Sequence, residues 1–370
     1  MAGFALWGYR RVIRPLMFLL SPDKAHSLVI SMLSVSGKTL GVPALTKVLF
    51  TRRHRSLEVE WKGMKFSSPV GLSAGLDKNG QIVPMMRALG FGFSEVGSVT
   101  AEICKGNDRP WFYRLPKTGS LVVHVGLANQ GVKRILQRLH AMPENVQKNY
   151  PTILSVARTN SEDASGVEEG VVDYVASVKA AKKSPAVQMV EVNISCPNAF
   201  GGQTYTTPEL LDQLLSAIDA VKLKKPLFIK MPVDLSWPKT KQLLKVAVAH
   251  GVTGVTLSNL TKQRDKVEFL EPLPDTVRGG LSGAPLRERS TELVAKTYKA
   301  YGDKLVIIGV GGVMSAEDAY DKIKAGATFV ALVTGLIMKG PLVEEINSGL
   351  VKLMKADGYE HISEAVGIRK

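Results

Sequence analysis

The sequence predicts an α/β fold: a closed (β/α)8 TIM barrel preceded by a small N-terminal helical extension. Three observations predict it. Eight short β-rich runs recur after residue 60, most intervals between them are long enough for a helix, and nearly every run ends in small, amide or cationic residues. Alternating strand and helix argues for parallel pairing, because a parallel connection needs a crossover. Eight such units argue for closure. The chain has 370 residues, 45% of them hydrophobic, enough to bury a large core and exclude a disordered chain. A barrel of about 250 residues with a smaller appendage fits that length.

The first element is an amphipathic helix over 4–20. Phe4, Leu6, Trp7, Ile13, Leu16, Met17 and Leu20 supply its apolar side, with Arg10, Arg11 and Arg14 between them. Ser21-Pro22-Asp23 reads as a stop followed by a new start, with Pro22 at the first helical position. A second helix spans 23–36, ended by Gly37 and Gly41. The pair suits either interfacial membrane binding or a hairpin packed on the main domain. The predicted division is 1–45 for this segment and 46–370 for the barrel. Predicted strands follow at 70–72, 93–96, 152–156, 189–194, 227–231, 254–257, 305–308 and 329–333. The long interval 98–150 has room for extra strands and a helix.

Composition narrows the function classes. Two cysteines, Cys104 and Cys196, give neither a disulfide framework nor zinc spacing. The formal net charge is +15, and residues 1–65 hold eleven Lys/Arg against three acids. That asymmetry points to an anionic surface, lipid or nucleic acid, and its place on apolar-rich helices favours lipid. No apolar run reaches the ~18 residues of a membrane span. The arginines interrupt any signal-peptide pattern.

Chemistry in such a barrel sits at the C-terminal ends of the strands. The first strand ends in Ser73-Ala74-Gly75-Leu76-Asp77-Lys78, where small residues let a flat ring approach and Lys78 adds a cation. Ser98 follows the second strand. The fourth ends in Asn193-Ile194-Ser195-Cys196-Pro197-Asn198, the fifth at Lys230, and the sixth in Ser258-Asn259. Gly279-Gly280-Leu281-Ser282-Gly283, Gly309-Val310-Gly311-Gly312 and Thr334-Gly335 form the expected phosphate site, where backbone N–H groups face an anion. Lys230 would stand where a flavin gathers negative charge on reduction. Asn193, Asn198 and Asn259 both donate and accept, which suits a ring carrying C=O and N–H groups.

Seven motifs, in order along nearly the whole chain, resemble the dihydroorotate dehydrogenases: GLDKNG (75–80), GFGFSEVGSVT (90–100), GNDRPWFYRLP (106–116), NISCPN (193–198), GGLSG (279–283), IIGVGG (307–312) and TG (334–335). RPLMFLLSPDKAH (14–26) is similar to the membrane-docking helices of the class 2, quinone-linked branch. The resemblance implies FMN as cofactor, oxidation of dihydroorotate to orotate in pyrimidine biosynthesis, and quinone as acceptor. Hydride would pass from ring C6 to flavin N5, and a base would take the C5 proton. It implies flavin contacts from Ala74, Gly75, Lys78, Ser98, Asn193, Lys230, Ser258, Gly283, Gly312, Val333, Thr334 and Gly335. Lys78, Gly126, Leu127, Asn193, Asn198 and Asn259 would hold substrate, and Cys196 would be the base. Peripheral contact with an anionic membrane, at the cytoplasmic face of a bacterial inner membrane, and no nucleic-acid partner complete the expectation.

Three departures accompany the resemblance. Cys196 stands where class 2 carries serine and class 1 carries cysteine; a thiol ionises far more readily than a hydroxyl, near ~8.5 when free, and so serves as a base with less help. Val123-His124-Val125-Gly126-Leu127-Ala128-Asn129 replaces Asn-Arg-Met-Gly-Phe-Asn-Asn, removing an amide donor at Val123. Val156-Ala157-Arg158-Thr159-Asn160 replaces a strand end that usually begins with asparagine, so Arg158 stands near that place, to be read as solvated or phosphate-bound. The alternatives are a paralogue acting on another cyclic amide, such as a dihydropyrimidine, and an RNA-binding barrel of the dihydrouridine synthase type. His124 and Cys104 read as structural, and 198–208 as a mobile lid.

Overall fold

The computed structural model describes residues 7–195 and 205–369. Cys196, Asn198 and most of the expected lid therefore lie outside the described residues. After the N-terminal helices, β1 (Val59–Trp61) and β2 (Met64–Phe66) form an antiparallel hairpin. Its two-residue turn, Lys62-Gly63, takes positive φ at both positions (48° and 74°), the geometry whose twist matches a tight hairpin.

The barrel strands are β3 (Val70–Leu72), β4 (Phe93–Val99), β7 (Thr152–Val156), β8 (Met189–Asn193), β9 (Leu227–Met231), β10 (Gly254–Leu257), β12 (Val306–Val310) and β13 (Phe329–Leu332). They pair in that order, all parallel, and β13 closes on β3. The eight predicted runs are these eight strands, with ends shifted by up to three residues. β7, β8 and β9 are buried along their whole length, as strands covered on both faces must be. The interval after β4 supplies β5 (Phe112–Leu115) and β6 (Ser120–Val123), which join β11 (Gly280–Gly283) in a separate antiparallel sheet.

The hairpin closes the N-terminal end of the barrel. Phe66 lies 4.5 Å from the Phe329 ring and 6.0 Å from Phe93, and Trp61 meets Phe228 edge-on at 5.8 Å. This floor requires glycine at 71, where a Cβ would sit 2.2 Å from Phe93 Cζ. Gly71→Ala is expected to cost about 1–3 kcal/mol by overpacking. Chemical denaturation checks it, and an unchanged midpoint would show that the ring moves aside freely.

The N-terminal segment differs from expectation in three ways. Its first helix contains a π turn at Tyr9–Ile13 that runs into α1 (Arg14–Leu19). The second helix, α2 (Pro22–Lys38), passes through Gly37 instead of ending there, because Gly37 packs on Met85, whose side chain a Cβ would meet at 3.4 Å. A further helix, α3 (Val42–Phe50), straddles the predicted boundary at 45.

The segment's charge is also used differently. Arg10 makes a two-pronged contact with Glu345 at 2.7 and 3.1 Å, and Arg14 Nε donates to Met338 O at 2.6 Å. Arg114 donates in return to carbonyls of Met17, Phe18 and Leu20. Two of the three clustered arginines thus fasten the helix to the barrel. Exposed apolar side chains remain along the segment, Leu16, Leu19, Met32, Val35, Leu40 and Val48 among them. Among the described residues no single helix is long and apolar enough to cross a membrane.

Candidate active site

A cavity of about 190 Å3, open to solvent, occupies the C-terminal mouth of the barrel. Each strand brings its predicted residues there. Ala74, Gly75 and Lys78 follow β3, Ser98 lies near the end of β4, Asn193 ends β8, and Lys230 is the penultimate residue of β9. Ser258 and Asn259 follow β10, Gly283 ends β11, Gly312 follows β12, and Val333, Thr334 and Gly335 follow β13. Gly126 and Leu127 enter from the loop after β6. All predicted site residues within the described residues therefore line one cavity.

The amides form a connected set. Asn193 Nδ2 donates to Ser98 Oγ at 2.9 Å, and Asn193 Oδ1 accepts from Asn259 Nδ2 at 3.3 Å. Asn259 Nδ2 also donates to Ser195 Oγ at 2.9 Å. These bonds fix which amide edges face the cavity. Ser195, the residue before Cys196, is buried and donates to Asn193 Oδ1 at 3.2 Å. The β8 end thus holds the backbone that leads into Cys196.

Beneath the amides lies a buried charge cluster. Lys230 Nζ donates to Ser73 Oγ at 3.2 Å and to Glu95 Oε2 at 3.4 Å, and stands 4.0 Å from Glu191 Oε1. Burial alone would lower the Lys230 pKa, but Glu191 and Glu95 outweigh it and hold the ammonium above its usual value. Glu95 is pushed up to about 7, first by burial and then by Glu191. The motif reading missed Ser73, Glu95 and Glu191. Strand period gave a signal: Glu191 and Asn193 are two apart on β8 and share a face, so an acid inside MVEVN points into the barrel.

At the rim, α2 contributes His26, which the strand-end reading did not include. Its Nε2 is 3.4 Å from Lys78 Nζ, and its ring lies 5.2 Å from Phe112. Burial, then the neighbouring Lys78, pushes His26 down to about 3, so it is neutral. Burial pushes Lys78 down to about 8. Asp23 on the same helix accepts from the backbone N–H of Trp111 at 3.1 Å and Phe112 at 3.4 Å, which pins α2 across the mouth.

The altered loops have definite places. Val123 lines the cavity from β6. Arg158, expected to be solvated or on phosphate, is buried instead and donates to Ser165 O at 2.8 Å. Asn160 Nδ2 reaches Gly126 O at 3.1 Å, so the third strand end supports the loop that carries Gly126 and Leu127. His124 packs on Asn107 Nδ2 at 3.2 Å, and the buried Cys104 Sγ donates to Gly126 O at 3.3 Å; both have the structural surroundings expected of them.

The mouth fits a flavin. Gly75 has φ +120° and lines the cavity, and a Cβ there would meet no protein atom within 4 Å, so glycine keeps the space open. Ser258 Oγ is buried without a hydrogen-bond partner, as a group awaiting a ligand would be. Gly283, Gly311 and Gly312 take positive φ beside the start of the short helix at Thr334, forming a backbone cradle for a phosphate. Barrel, cation, amide set and cradle together define a (β/α)8 oxidoreductase of the flavin-dependent kind.

Comparison with known proteins narrows this class. Residues 56–354 match the family model for dihydroorotate dehydrogenase. The dihydroorotate dehydrogenase (quinone) of Deinococcus deserti is 36% identical over 97% of this chain and 99% of its own length. That of Anaeromyxobacter dehalogenans is 36% identical over 96% and 95%. The Eimeria tenella DHODH, solved in complex with ferulenol, superposes with a TM-score of 0.81 at 26% identity, covering 94% of this chain and 95% of that one. The chain belongs to the dihydroorotate dehydrogenase family.

Proposed function

We propose that this chain binds FMN in the barrel mouth, oxidises dihydroorotate to orotate and passes the electrons to a quinone. The observation that carries the reading is the convergence of Lys230, the Asn193–Asn259 pair and the glycine cradle on one cavity. Bound FMN supplies a two-electron hydride acceptor. Gly283, Gly312, Thr334 and Gly335 would hold its phosphate, Ala74 and Gly75 would leave room for its ring, Ser98 and Ser258 would offer hydroxyls, and Val333 would line the same site. Lys230 would supply positive charge there.

The chain's own residues do the rest. Asn193, Asn198 and Asn259 orient the amide edges of the substrate. Lys78 offers a cation to its carboxylate, and Gly126 and Leu127 close one side. Cys196 takes the C5 proton as hydride leaves C6, so the substrate loses two hydrogens and gains one C=C bond. Steady-state assay of the intact protein tests the whole: orotate should accumulate only with both FMN and a quinone present. Orotate formation by flavin-free protein would overturn the reading.

Quinone access from a membrane fits the N-terminal helices. They bring His26 to the cavity wall, while Leu16, Leu19, Met32 and Val35 are exposed on the same segment as the exposed Arg11, Lys24 and Lys38. Residues 1–45, extended by the rest of α3, are the docking segment in this reading. Its surface is the anionic cytoplasmic face of a bacterial inner membrane. Replacing Leu16, Leu19, Met32 and Val35 with Glu is expected to cut vesicle binding and turnover of vesicle-borne quinone at least about tenfold, since each buried Leu or Val contributes ~1.5–3 kcal/mol. Reduction of the flavin by dihydroorotate should be unchanged. Undiminished turnover in vesicles would remove the membrane from the account.

A further inference from the structure

The acids under Lys230 have no part in the chemistry described so far. Glu95 and Glu191 are both fully buried, on β4 and β8, and both face the single ammonium of Lys230. With both acids ionised, the cluster carries one negative charge in excess, held on two fully buried side chains. With one proton it is neutral. Burying an uncompensated charge costs several kcal/mol, so the neutral form is the stable one.

The hydrogen bonds are consistent with one proton. Glu95 Oε2 accepts from Ala74 N at 2.9 Å and Ser73 Oγ at 3.1 Å, and Glu191 Oε2 accepts from Thr256 Oγ1. Glu95 Oε1 and Glu191 Oε1 are buried without a hydrogen-bond partner. A proton on one of these oxygens makes it a donor and neutralises its carboxyl. The charged groups facing Glu95 are Glu191 from β8 and Lys230 from β9, while β3 and β10 contribute only the hydroxyls of Ser73 and Thr256 and the Ala74 N–H. Asp77 is turned away, accepting from the backbone N–H of Gln81 and Ile82.

We infer that Glu95 and Glu191 share one proton, and that this pair sets the positive charge Lys230 presents to the cofactor and hence its reduction potential. The inference rests on the proposal that a flavin occupies the mouth. The two acids are positioning residues: they act through Lys230 and need not touch the flavin. Below neutrality the pair holds its proton and the cluster is neutral. As pH rises past the point of ionisation, the second negative charge offsets the ammonium, and the flavin becomes harder to reduce.

The test is the midpoint potential of the bound flavin as a function of pH in the holoenzyme, in wild type, Glu95→Gln and Glu191→Gln. Each variant leaves one acid against Lys230, so no second negative charge can develop there as pH rises. The variants should match wild type about two units below neutrality and lie above it about two units above neutrality. Wild type alone should show the extra fall. Parallel profiles, or an offset of the same size at every pH, would overturn the inference. Infrared spectra of wild type alone supply a second measurement, independent of whether the variants fold. A buried protonated-carboxyl band should disappear as pH rises through neutrality, and its absence at low pH would overturn the shared proton. Protein that takes up no flavin would defeat the proposed function, whereas bound flavin with parallel profiles defeats only this inference.

Discussion

Replacing Lys230 with methionine should destabilise the barrel by about 3–5 kcal/mol, because it leaves two buried carboxyls without their cation. Methionine nearly preserves the volume, so the loss is electrostatic and not a cavity effect. It should also depend on pH. In the native protein the Glu95 pKa is raised to about 7 from its ordinary 4.5. The folded state therefore binds this proton more tightly than the unfolded chain. Glu95 contributes stability fully below the unfolded value and loses it as pH rises to about 7. Without Lys230, whose charge lowers the Glu95 pKa, Glu95 holds its proton to higher pH, so the decline should continue beyond neutrality. Denaturant midpoints of both proteins, taken about one unit below and about two units above neutrality, decide this. A loss larger on the acid side would mean that Lys230 is not the counter-charge of these acids.

Replacing Cys196 with alanine should slow reduction of the flavin by dihydroorotate about 10²–10⁴-fold, the contribution of a placed general base. Flavin content should be unchanged, because the residues assigned to the cofactor lie on other strand ends or at Asn193. The neighbouring Ser195 and Asn193 are fixed to Asn259, so the loss would report the base and not a displaced strand end. In wild type the rate should climb with pH as the thiol ionises, near ~8.5 if unperturbed. Cys196→Ser should keep some activity and move that rise to higher pH, since a hydroxyl ionises less readily. An unchanged single-turnover rate in the alanine variant would remove Cys196 from catalysis.

Much of the fold was legible because strand and turn chemistry is local. Most barrel strands are short apolar runs with Gly, Pro or amide residues at one end or both, and the eight runs found this way are the eight that pair. The residues at their ends were legible for the same reason, since parallel strands in one barrel must all deliver their C-terminal ends to one mouth. What escaped notice depends on contacts between distant segments. His26 reaches the mouth only because Asp23 pins α2 to the Trp111 and Phe112 backbone. Arg158 read as solvated because nothing local shows that it turns into the protein to meet Ser165. The basic charge of the first helix read as a membrane signal, yet Arg10 and Arg14 meet Glu345 and Met338, more than 300 residues away. Helix α3 was missed because Gly41 read as the end of the preceding helix, although it caps the start of another with Pro43 in its first turn.

The altered loop at 123–129 makes the substrate the point most open to direct trial. Val123 presents an apolar side to the cavity, while Lys78, Asn193 and Asn259 retain the charge and amides a carboxylated cyclic amide requires. Anaerobic mixing of the oxidised holoenzyme with dihydroorotate, and separately with dihydrouracil, is the most direct measurement. Dihydroorotate should bleach the flavin in a single turnover and release one orotate per flavin, and dihydrouracil should leave it oxidised. Bleaching by dihydrouracil with none by dihydroorotate would contradict the assigned substrate and leave a flavin barrel acting on an uncharged ring.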